Sequence, residues 1–245
     1  MTTPVGVIGA SGKMGTEVCR AVEADDDLEL VARAGRGDSL DMLVDSGAEV
    51  AVEFSTPSTV KDNAAFCLTR GINVVIGTTG LTRSDLDELR ALTRQYDARC
   101  FVAPNFAVGA VLMMRFAAQA APHFDSVEII ERHEKQKLDA PSGTSLRTAG
   151  LINEARTEPW DVPTSGKETV EGARGGDVDG VRIHSLRTSG SVAHQEVIFG
   201  SVGQTLSIRH DSLDRSSFMP GVILAIKRVG TLDELTVGLE ALLDL

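Results

Sequence analysis

The chain has 245 residues, 42% of them hydrophobic and 24% charged, a balance typical of a globular protein with room for one large domain or two smaller ones. Its formal net charge of −11 argues against a nucleic-acid partner, because phosphate binding needs clustered Lys and Arg. The first predicted strand follows the N-terminus without a basic leader, and the longest apolar run is far shorter than a membrane span, so we expect a cytoplasmic protein with no membrane contact.

The first half of the chain alternates short apolar strands with helices. The strands are predicted at 5–8, 28–32, 50–54, 74–76 and 100–102, and helices follow the glycine-rich turn after the first strand and occupy 60–69, 84–96 and 108–121. Alternation at this spacing predicts βαβ units. We therefore expect an α/β fold in which a Rossmann-like parallel sheet forms one domain.

The second half has a different pattern. Longer strands, several of them alternating apolar with polar residues, are predicted at 127–130, 181–186, 195–200 and 204–210, with a helix at 145–155. The Gly-rich, charged stretch 164–180 has no periodicity and predicts a mobile loop. The pattern indicates an α+β domain with an open mixed sheet whose free face could meet a partner subunit. Residues 218–243 return to helical spacing and are expected to pack on the first domain.

The three cysteines give no sign of a metal site. Cys19, Cys67 and Cys100 are odd in number and widely separated, and they form no CxxC pair. We therefore expect reduced, mostly buried thiols and no bound metal.

A glycine turn follows the first strand. Gly9, Gly12 and Gly15 have the spacing GxxGxxG and open a helix, where glycines let a pyrophosphate approach the helix N-terminus closely. The βα units that follow favour dinucleotide binding over an ordinary tight βα turn. The turn consists of Gly9, Ala10, Ser11, Gly12, Lys13 and Met14.

The end of the second strand bears on which dinucleotide binds. An acidic residue about twenty positions after the glycine turn would hold the ribose 2′-OH of NAD, but Gly35 lies near that place. Arg36 and Arg33, with Lys13, could instead meet a 2′-phosphate, which favours NADPH and leaves NADH possible. The alternatives are a solvated basic turn, or Asp38 as a late-placed acid.

Small residues end the later strands of the first half. Ligands of open α/β sheets bind outside the carboxyl ends of the strands, where such residues permit close approach to a nicotinamide. Ordinary turn chemistry would favour the same residue types. The candidates are Ser55 and Thr56 after the third strand, Gly77, Thr78 and Thr79 after the fourth, and Ala103, Pro104, Asn105 and Phe106 after the fifth.

Proton donors and a helix start lie together at 131–144. His133 and Lys137 precede Pro141, Ser142, Gly143 and Thr144, which open the helix predicted at 145–155. Helix starts bind anions, and an imidazole and an ammonium can supply protons or hold a carboxylate. By itself, a His and a Lys at this spacing more often form a solvated helix or loop surface, and a Pro-Ser-Gly-Thr turn is more often an ordinary helix cap. Their combination with a dinucleotide domain is what favours catalysis.

In this order the strings "GASGKMG", "VEFSTPSTV", "VVIGTTGL", "APNFAVGA", "DAPSGT" and "SLRTSGSVAHQEVIFG" resemble the 4-hydroxy-tetrahydrodipicolinate reductase family over nearly the whole chain. The resemblance implies NAD(P)H-dependent reduction of a cyclic imine dicarboxylate, with loss of water, in diaminopimelate and lysine biosynthesis. It implies a cofactor domain at 1–106 and 216–245, a substrate and oligomerisation domain at 107–215, and a homotetramer. It also implies His133 and Lys137 as the catalytic pair and Gly143 and Thr144 as carboxylate binders, and we expect Ser142 and Glu134 to bind substrate beside them. The resemblance implies cofactor contacts at residues 9–14, 77–79 and 103–106.

The chain departs from the family at Glu134, where the family usually has a second histidine that helps to bind substrate. Lys135 could offset this carboxylate, or Glu134 could turn away to pair with a basic residue. The departure keeps a reductase of another small carboxylate open, and a non-catalytic NADP-binding sensor is a third possibility. Arg187 and His194 are either structural or near the site, whereas His184 and His210 are interpreted as structural.

Overall fold

The computed structural model describes residues 2–161 and 167–243. The chain forms two compact units, unit 1 from 1–108 and 215–245 and unit 2 from 109–214. Within the described residues the strands are β1 Thr3–Ile8, β2 Leu28–Ala34, β3 Val50–Glu53, β4 Asn73–Ile76, β5 Cys100–Val102, β6 Ser126–His133, β7 Gly176–Val178, β8 Val181–Arg187, β9 Ala193–Ser201, β10 Gln204–Ser212 and β11 Leu235–Val237. The helices are α1 Lys13–Glu23, α2 Asp41–Asp45, α3 Val60–Leu68, α4 Arg83–Tyr96, α5 Val108–Ala120, α6 Gly143–Glu154 and α7 Met219–Arg228.

Unit 1 is built on a parallel sheet of six strands in the order β11-β5-β4-β3-β1-β2. Its inner strands are apolar runs because both faces are covered, and every residue of β3 is buried. Strand order reverses between β1 and β3, which is where open α/β sheets bind ligands. The predicted Rossmann-like sheet is confirmed. All three cysteines are buried in this unit.

Unit 2 contains a mixed sheet of five strands in the order β10-β9-β6-β8-β7, in which only β6 and β8 run parallel. Ile129 of β6, Ile183 of β8 and Phe199 of β9 pack with Ala117 of α5 and Ile152 of α6 in one core. Most residues of β10 are exposed. The predicted open mixed sheet is confirmed.

Two local predictions are wrong. Residues 176–178 lie in the stretch predicted to be a loop, but they form β7 and pair with β8 across Asp179 and Gly180. Both turn residues have positive φ, at 50° and 86°, which is the geometry that an Asp-Gly hairpin turn requires. Residues 164–166 of that predicted loop lie outside the described residues. The helical spacing expected through 243 is interrupted by β11, which completes the parallel sheet.

Among the residues that the structure describes, no helix is long and apolar enough to cross a bilayer.

Candidate active site

In the glycine turn between β1 and α1, backbone segments pack closely against one another. Gly9 has a φ of 79°, and a Cβ there would lie 2.3 Å from the carbonyl oxygen of Phe54. A Cβ at Gly15 would lie 2.1 Å from the carbonyl oxygen of Gly9. Gly12 is the N-cap residue of α1 and has no side chain to cover the first amides of the helix. This cradle therefore fits the pyrophosphate of a dinucleotide.

A cavity of about 480 Å³ opens beside the glycine turn. It is lined by Ile8, Gly9, Ser11, Gly12, Gly35, Arg36, Gly37, Asp38, Leu40, Phe54, Ser55, Thr56, Ser58, Thr59 and Asn63. The predicted cofactor contacts that line this cavity are Gly9, Ser11, Gly12, Arg36, Ser55 and Thr56. We call it the cofactor cleft.

The two arginines at the end of β2 have different surroundings. Arg36 lines the cofactor cleft, whereas Arg33 lies outside its lining and forms an ion pair with Glu23. The Asp38 carboxylate accepts a hydrogen bond of 2.7 Å from the Gly35 amide. Of these two arginines, Arg36 is thus the one that lines the cleft, and Asp38 has a backbone partner.

The loops that follow β3, β4 and β5 are neighbours, because these strands are adjacent in the sheet. The Gly77 amide donates to the Glu53 carbonyl at 3.0 Å, and the Ala103 amide donates to the Ile76 carbonyl at 3.1 Å. The Phe106 ring is only 3% exposed and packs against Phe54 at a centroid distance of 5.9 Å. Phe106 therefore presents no open ring face to a ligand.

In unit 2, the end of β6 brings together an acid, an imidazole and a guanidinium. Glu131 and His133 are two residues apart on a strand and so share a face. Nδ1 of His133 lies 2.5 Å from Oε2 of Glu131. Arg187, which is opposite His133 on β8, donates to both Glu131 oxygens at 2.8 Å. We call these three residues the His133 cluster.

Glu131 is fully buried, yet it stays ionised. Burial by itself would raise the pKa of its carboxyl, but hydrogen bonds from His133, Arg187 and Ser185 outweigh burial and lower the pKa to about 2. An ionised carboxylate only accepts hydrogen bonds, so Nδ1 of His133 carries the proton that they share. In the neutral ring, Nε2 is then the nitrogen without a proton.

Lys137 lies on the loop that follows β6. Its Nζ donates to the Asp139 carboxylate at 2.8 Å, and this contact lowers the pKa of Asp139. The loop is also tied to the His133 cluster, because Arg187 donates to the Asp139 carbonyl at 2.6 Å. The structure thus connects the two predicted catalytic side chains through Arg187, whose role the sequence left open. Glu131 was not singled out from the sequence.

The predicted substrate contacts at the start of α6 differ in how accessible they are. Ser142 is 2% exposed, and its hydroxyl accepts from the Ser145 amide at 3.2 Å as the N-cap. Its own amide donates to Glu131 at 3.3 Å. No described atom outside the chain neighbours and the helix's own backbone lies within 4 Å of a Cβ built at Gly143. Ser142 is therefore a structural cap, and Gly143 with Thr144 forms the accessible helix start.

Other histidines form their own pairs. His184 lies 2.8 Å from Glu128, and His194 lies 2.6 Å from Asp211. Neither pair belongs to the His133 cluster.

Comparison with known proteins identifies the family of the chain. The family model described as dihydrodipicolinate reductase, N-terminus, matches residues 3–106, and the model for the C-terminus matches residues 109–243. The chain belongs to this family. A 4-hydroxy-tetrahydrodipicolinate reductase of Nocardia farcinica is 54% identical over the full length of both chains. The enzyme of the same name from Mycolicibacterium vanbaalenii is 53% identical and covers 98% of this chain and 99% of its own.

A solved structure is also similar. The dipicolinate-bound dihydrodipicolinate reductase of Paenisporosarcina sp. TG-14 superposes with a TM-score of 0.88 at 40% identity, covering 99% of this chain and all of that one. A probable dehydrogenase of Thermotoga maritima has a TM-score of 0.61 at 15% identity, which shows a shared fold alone.

Proposed function

We propose that the chain reduces 4-hydroxy-tetrahydrodipicolinate to tetrahydrodipicolinate with NAD(P)H, with loss of water, in diaminopimelate and lysine biosynthesis. The observation that carries this proposal is the His133 cluster immediately before the open N-terminus of α6, in a family member whose unit 1 has a dinucleotide cradle. A proton donor beside an anion-binding helix start suits a dicarboxylate whose reduced product needs a proton. The Paenisporosarcina relative binds dipicolinate, which supports a small dicarboxylate as substrate.

NADPH is the proposed preferred cofactor, with NADH as a possible second. Gly9, Ala10, Ser11, Gly12, Lys13 and Met14 would surround the pyrophosphate, and Arg36 would meet the 2′-phosphate. The loops Gly77–Thr79 and Ala103–Phe106 would hold the nicotinamide end. When bound, the cofactor supplies the hydride.

His133 is the proposed proton donor. Because Nδ1 faces Glu131, the proton leaves from Nε2 and goes to the carbon next to the one that is reduced. The ring ends neutral with Nδ1 still protonated, and solvent returns a proton to Nε2. Glu131 takes no proton in this cycle.

Lys137, Gly143 and Thr144 are the proposed carboxylate binders. Lys137 would exchange its Asp139 partner for a substrate carboxylate, keeping its charge paired in both states. The amides at the start of α6 would hold a second carboxylate through hydrogen bonds and the helix dipole. Glu134 is proposed to lie beside the substrate, where it makes this dianion site less positive than a histidine would.

A homotetramer is the proposed assembly. Most residues of β10, the edge strand of the mixed sheet, are exposed in a single chain, and an open edge strand of this kind favours association. Light scattering should give about four times the chain mass of 26.0 kDa. A monomer mass would contradict this part of the proposal.

The activity is tested by mixing the purified protein and NADPH with the condensation product of pyruvate and aspartate semialdehyde. We expect NADPH absorbance to fall only when all three are present, and NADH to support a slower rate. Unchanged absorbance with both cofactors would contradict the proposed reaction. Oxidation that starts only with a different carboxylated imine would instead favour a related reductase, a possibility raised by Glu134.

A further inference from the structure

We infer that Glu131 and Arg187 form a positioning pair that fixes His133 in the tautomer protonated at Nδ1. The inference rests on the proposed function for its catalytic consequence, whereas the tautomer itself is independent of substrate identity. Neither residue needs to touch the substrate for this role.

The first step is the number of donors that converge on Glu131. This side chain has no exposed surface, and its oxygens receive the Nδ1 proton of His133, both terminal nitrogens of Arg187, the Ser142 amide and the Ser185 hydroxyl. A carboxylate held at both oxygens cannot rotate. The imidazole is therefore oriented by a fixed acceptor rather than by a flexible one.

The second step is chemical. Arg187 has only donors, and ionised Glu131 has only acceptors, so the hydrogen-bond roles in the cluster allow one arrangement. In it the neutral imidazole keeps hydrogen at Nδ1, and Nε2 is its only basic nitrogen. After donating a proton from Nε2, the ring can accept another at the same atom without reorienting.

The third step is the link to Lys137. Arg187 donates to the Asp139 carbonyl at 2.6 Å, and the Asp139 carboxylate holds the Lys137 ammonium at 2.8 Å. One guanidinium therefore anchors both the acceptor of His133 and the loop that carries Lys137. Its two-point grip on Glu131 is geometry that a lysine cannot reproduce.

The test is Glu131→Gln. Arg187 donates to both Glu131 oxygens, but Oε1 also accepts from the fixed Ser142 amide, whereas Oε2 faces His133, whose ring can change tautomer. The new amide therefore keeps its oxygen at the Oε1 position and turns its NH2 toward His133, which makes Nδ1 an acceptor and moves the proton to Nε2. In the serine-protease triad, the equivalent Asp→Asn change lowers kcat by about ten-thousand-fold through the wrong tautomer. We expect a fall in kcat of roughly a hundred- to a thousand-fold here, with the Kd for NADPH changed less than about twofold.

The tautomer is read by NMR of protein labelled with 15N-histidine, at a pH where the ring is neutral. The chain has five histidines, and His133→Gln identifies the signal of His133. We expect hydrogen at Nδ1 in the wild type and at Nε2 in Glu131→Gln. A wild-type ring protonated at Nε2, or a variant with wild-type tautomer and wild-type kcat, would overturn the inference.

Glu128→Gln is the matched control. Glu128 lies on the same strand and also pairs with a histidine and an arginine, His184 at 2.8 Å and Arg174 at 2.6 Å, but it lies outside the His133 cluster. It should leave the His133 signal and kcat unchanged. An equal loss of kcat in this control would show that the effect of Glu131→Gln is a general disturbance of β6, which overturns the positioning role.

Arg187→Lys tests the inference if Glu131→Gln does not fold. This variant keeps the positive charge but loses the paired hydrogen bonds of the guanidinium. Glu131 can still accept from Nδ1 of His133, but its carboxylate is held less rigidly. We expect the wild-type tautomer with kcat lowered about tenfold or more, and an unchanged kcat would overturn the role of Arg187. If the wild type itself fails to oxidise NADPH, the proposed function fails, while the tautomer measurement still decides the inference.

Discussion

Gly15→Ala should lower the stability of unit 1 and weaken its binding of a dinucleotide. The new Cβ would lie 2.1 Å from the Gly9 carbonyl oxygen, 2.7 Å from the Gly9 carbonyl carbon and 2.8 Å from the Ala10 Cα. Since these are backbone atoms, no side chain can rotate away. Ordinary contact begins near 3.4 Å, so the start of α1 must retreat by roughly 1.3 Å.

The expected cost follows from two opposing effects. Overpacking a rigid site costs about 3 kcal/mol, and replacing a helical glycine by alanine returns up to about 1 kcal/mol. We expect a net loss of about 2 kcal/mol in the free energy of unfolding, measured by urea denaturation. The same displacement widens the pyrophosphate cradle, so the Kd for NADPH, measured by titration calorimetry, should rise about tenfold or more.

Gly150→Ala is the control for this substitution. Gly150 lies within α6, and no described atom outside its own helix backbone and chain neighbours comes within 4 Å of a Cβ built there. It should keep or raise stability by up to about 1 kcal/mol, because only helix propensity and unfolded-chain entropy change. Equal urea midpoints and equal NADPH affinities in the two variants would refute the close-approach argument.

Three further predictions concern other charged or titrating groups. His133→Gln should lower kcat by about a hundred- to ten-thousand-fold with little change in NADPH binding, and near-normal turnover would exclude it as the donor. Arg36→Ala should weaken NADPH about ten- to a hundred-fold in a binding titration and leave NADH unchanged, and equal weakening of both would contradict a 2′-phosphate contact. Glu131 has its pKa lowered from 4.5 to about 2, so its stabilisation is present above pH 4.5 and is lost as pH falls through 2. This loss is about 3 kcal/mol, and acid titration of Glu131→Gln should lack it.

The parallel sheet could be predicted because burial on both faces leaves a clear trace in the sequence. Strands such as β4, Asn-Val-Val-Ile, are short apolar runs between turn residues, and that pattern does not depend on distant partners. The hairpin between β7 and β8 also left a trace, the Asp179-Gly180 pair. β7 itself is only Gly-Asp-Val within a charged, Gly-rich stretch, which is too short to show the alternation of apolar and polar residues that predicts a strand.

The His133 cluster was predictable only in part. His133 and Lys137 are close in sequence to the helix start at residues 142–144, so a local sequence pattern was enough to predict them as site residues. Glu131 looks like an ordinary exposed charge at the end of a strand, because the guanidinium that compensates its burial is 56 residues away. Periodicity reports which positions are apolar, and it carries no information about a buried charge whose partner comes from another strand.

The last strand of the parallel sheet has a consequence for how the chain is made. Leu235 of β11 pairs with Cys100 of β5, so this edge of β5 has no neighbour until residues 235–237 have been synthesised and have left the ribosome. All of unit 2, residues 109–214, has been synthesised by then and is contiguous. The inserted unit can therefore complete its fold while the unit that flanks it still exposes an unpaired strand. We therefore expect ribosome-bound chains that stop before β11 to be prone to aggregation.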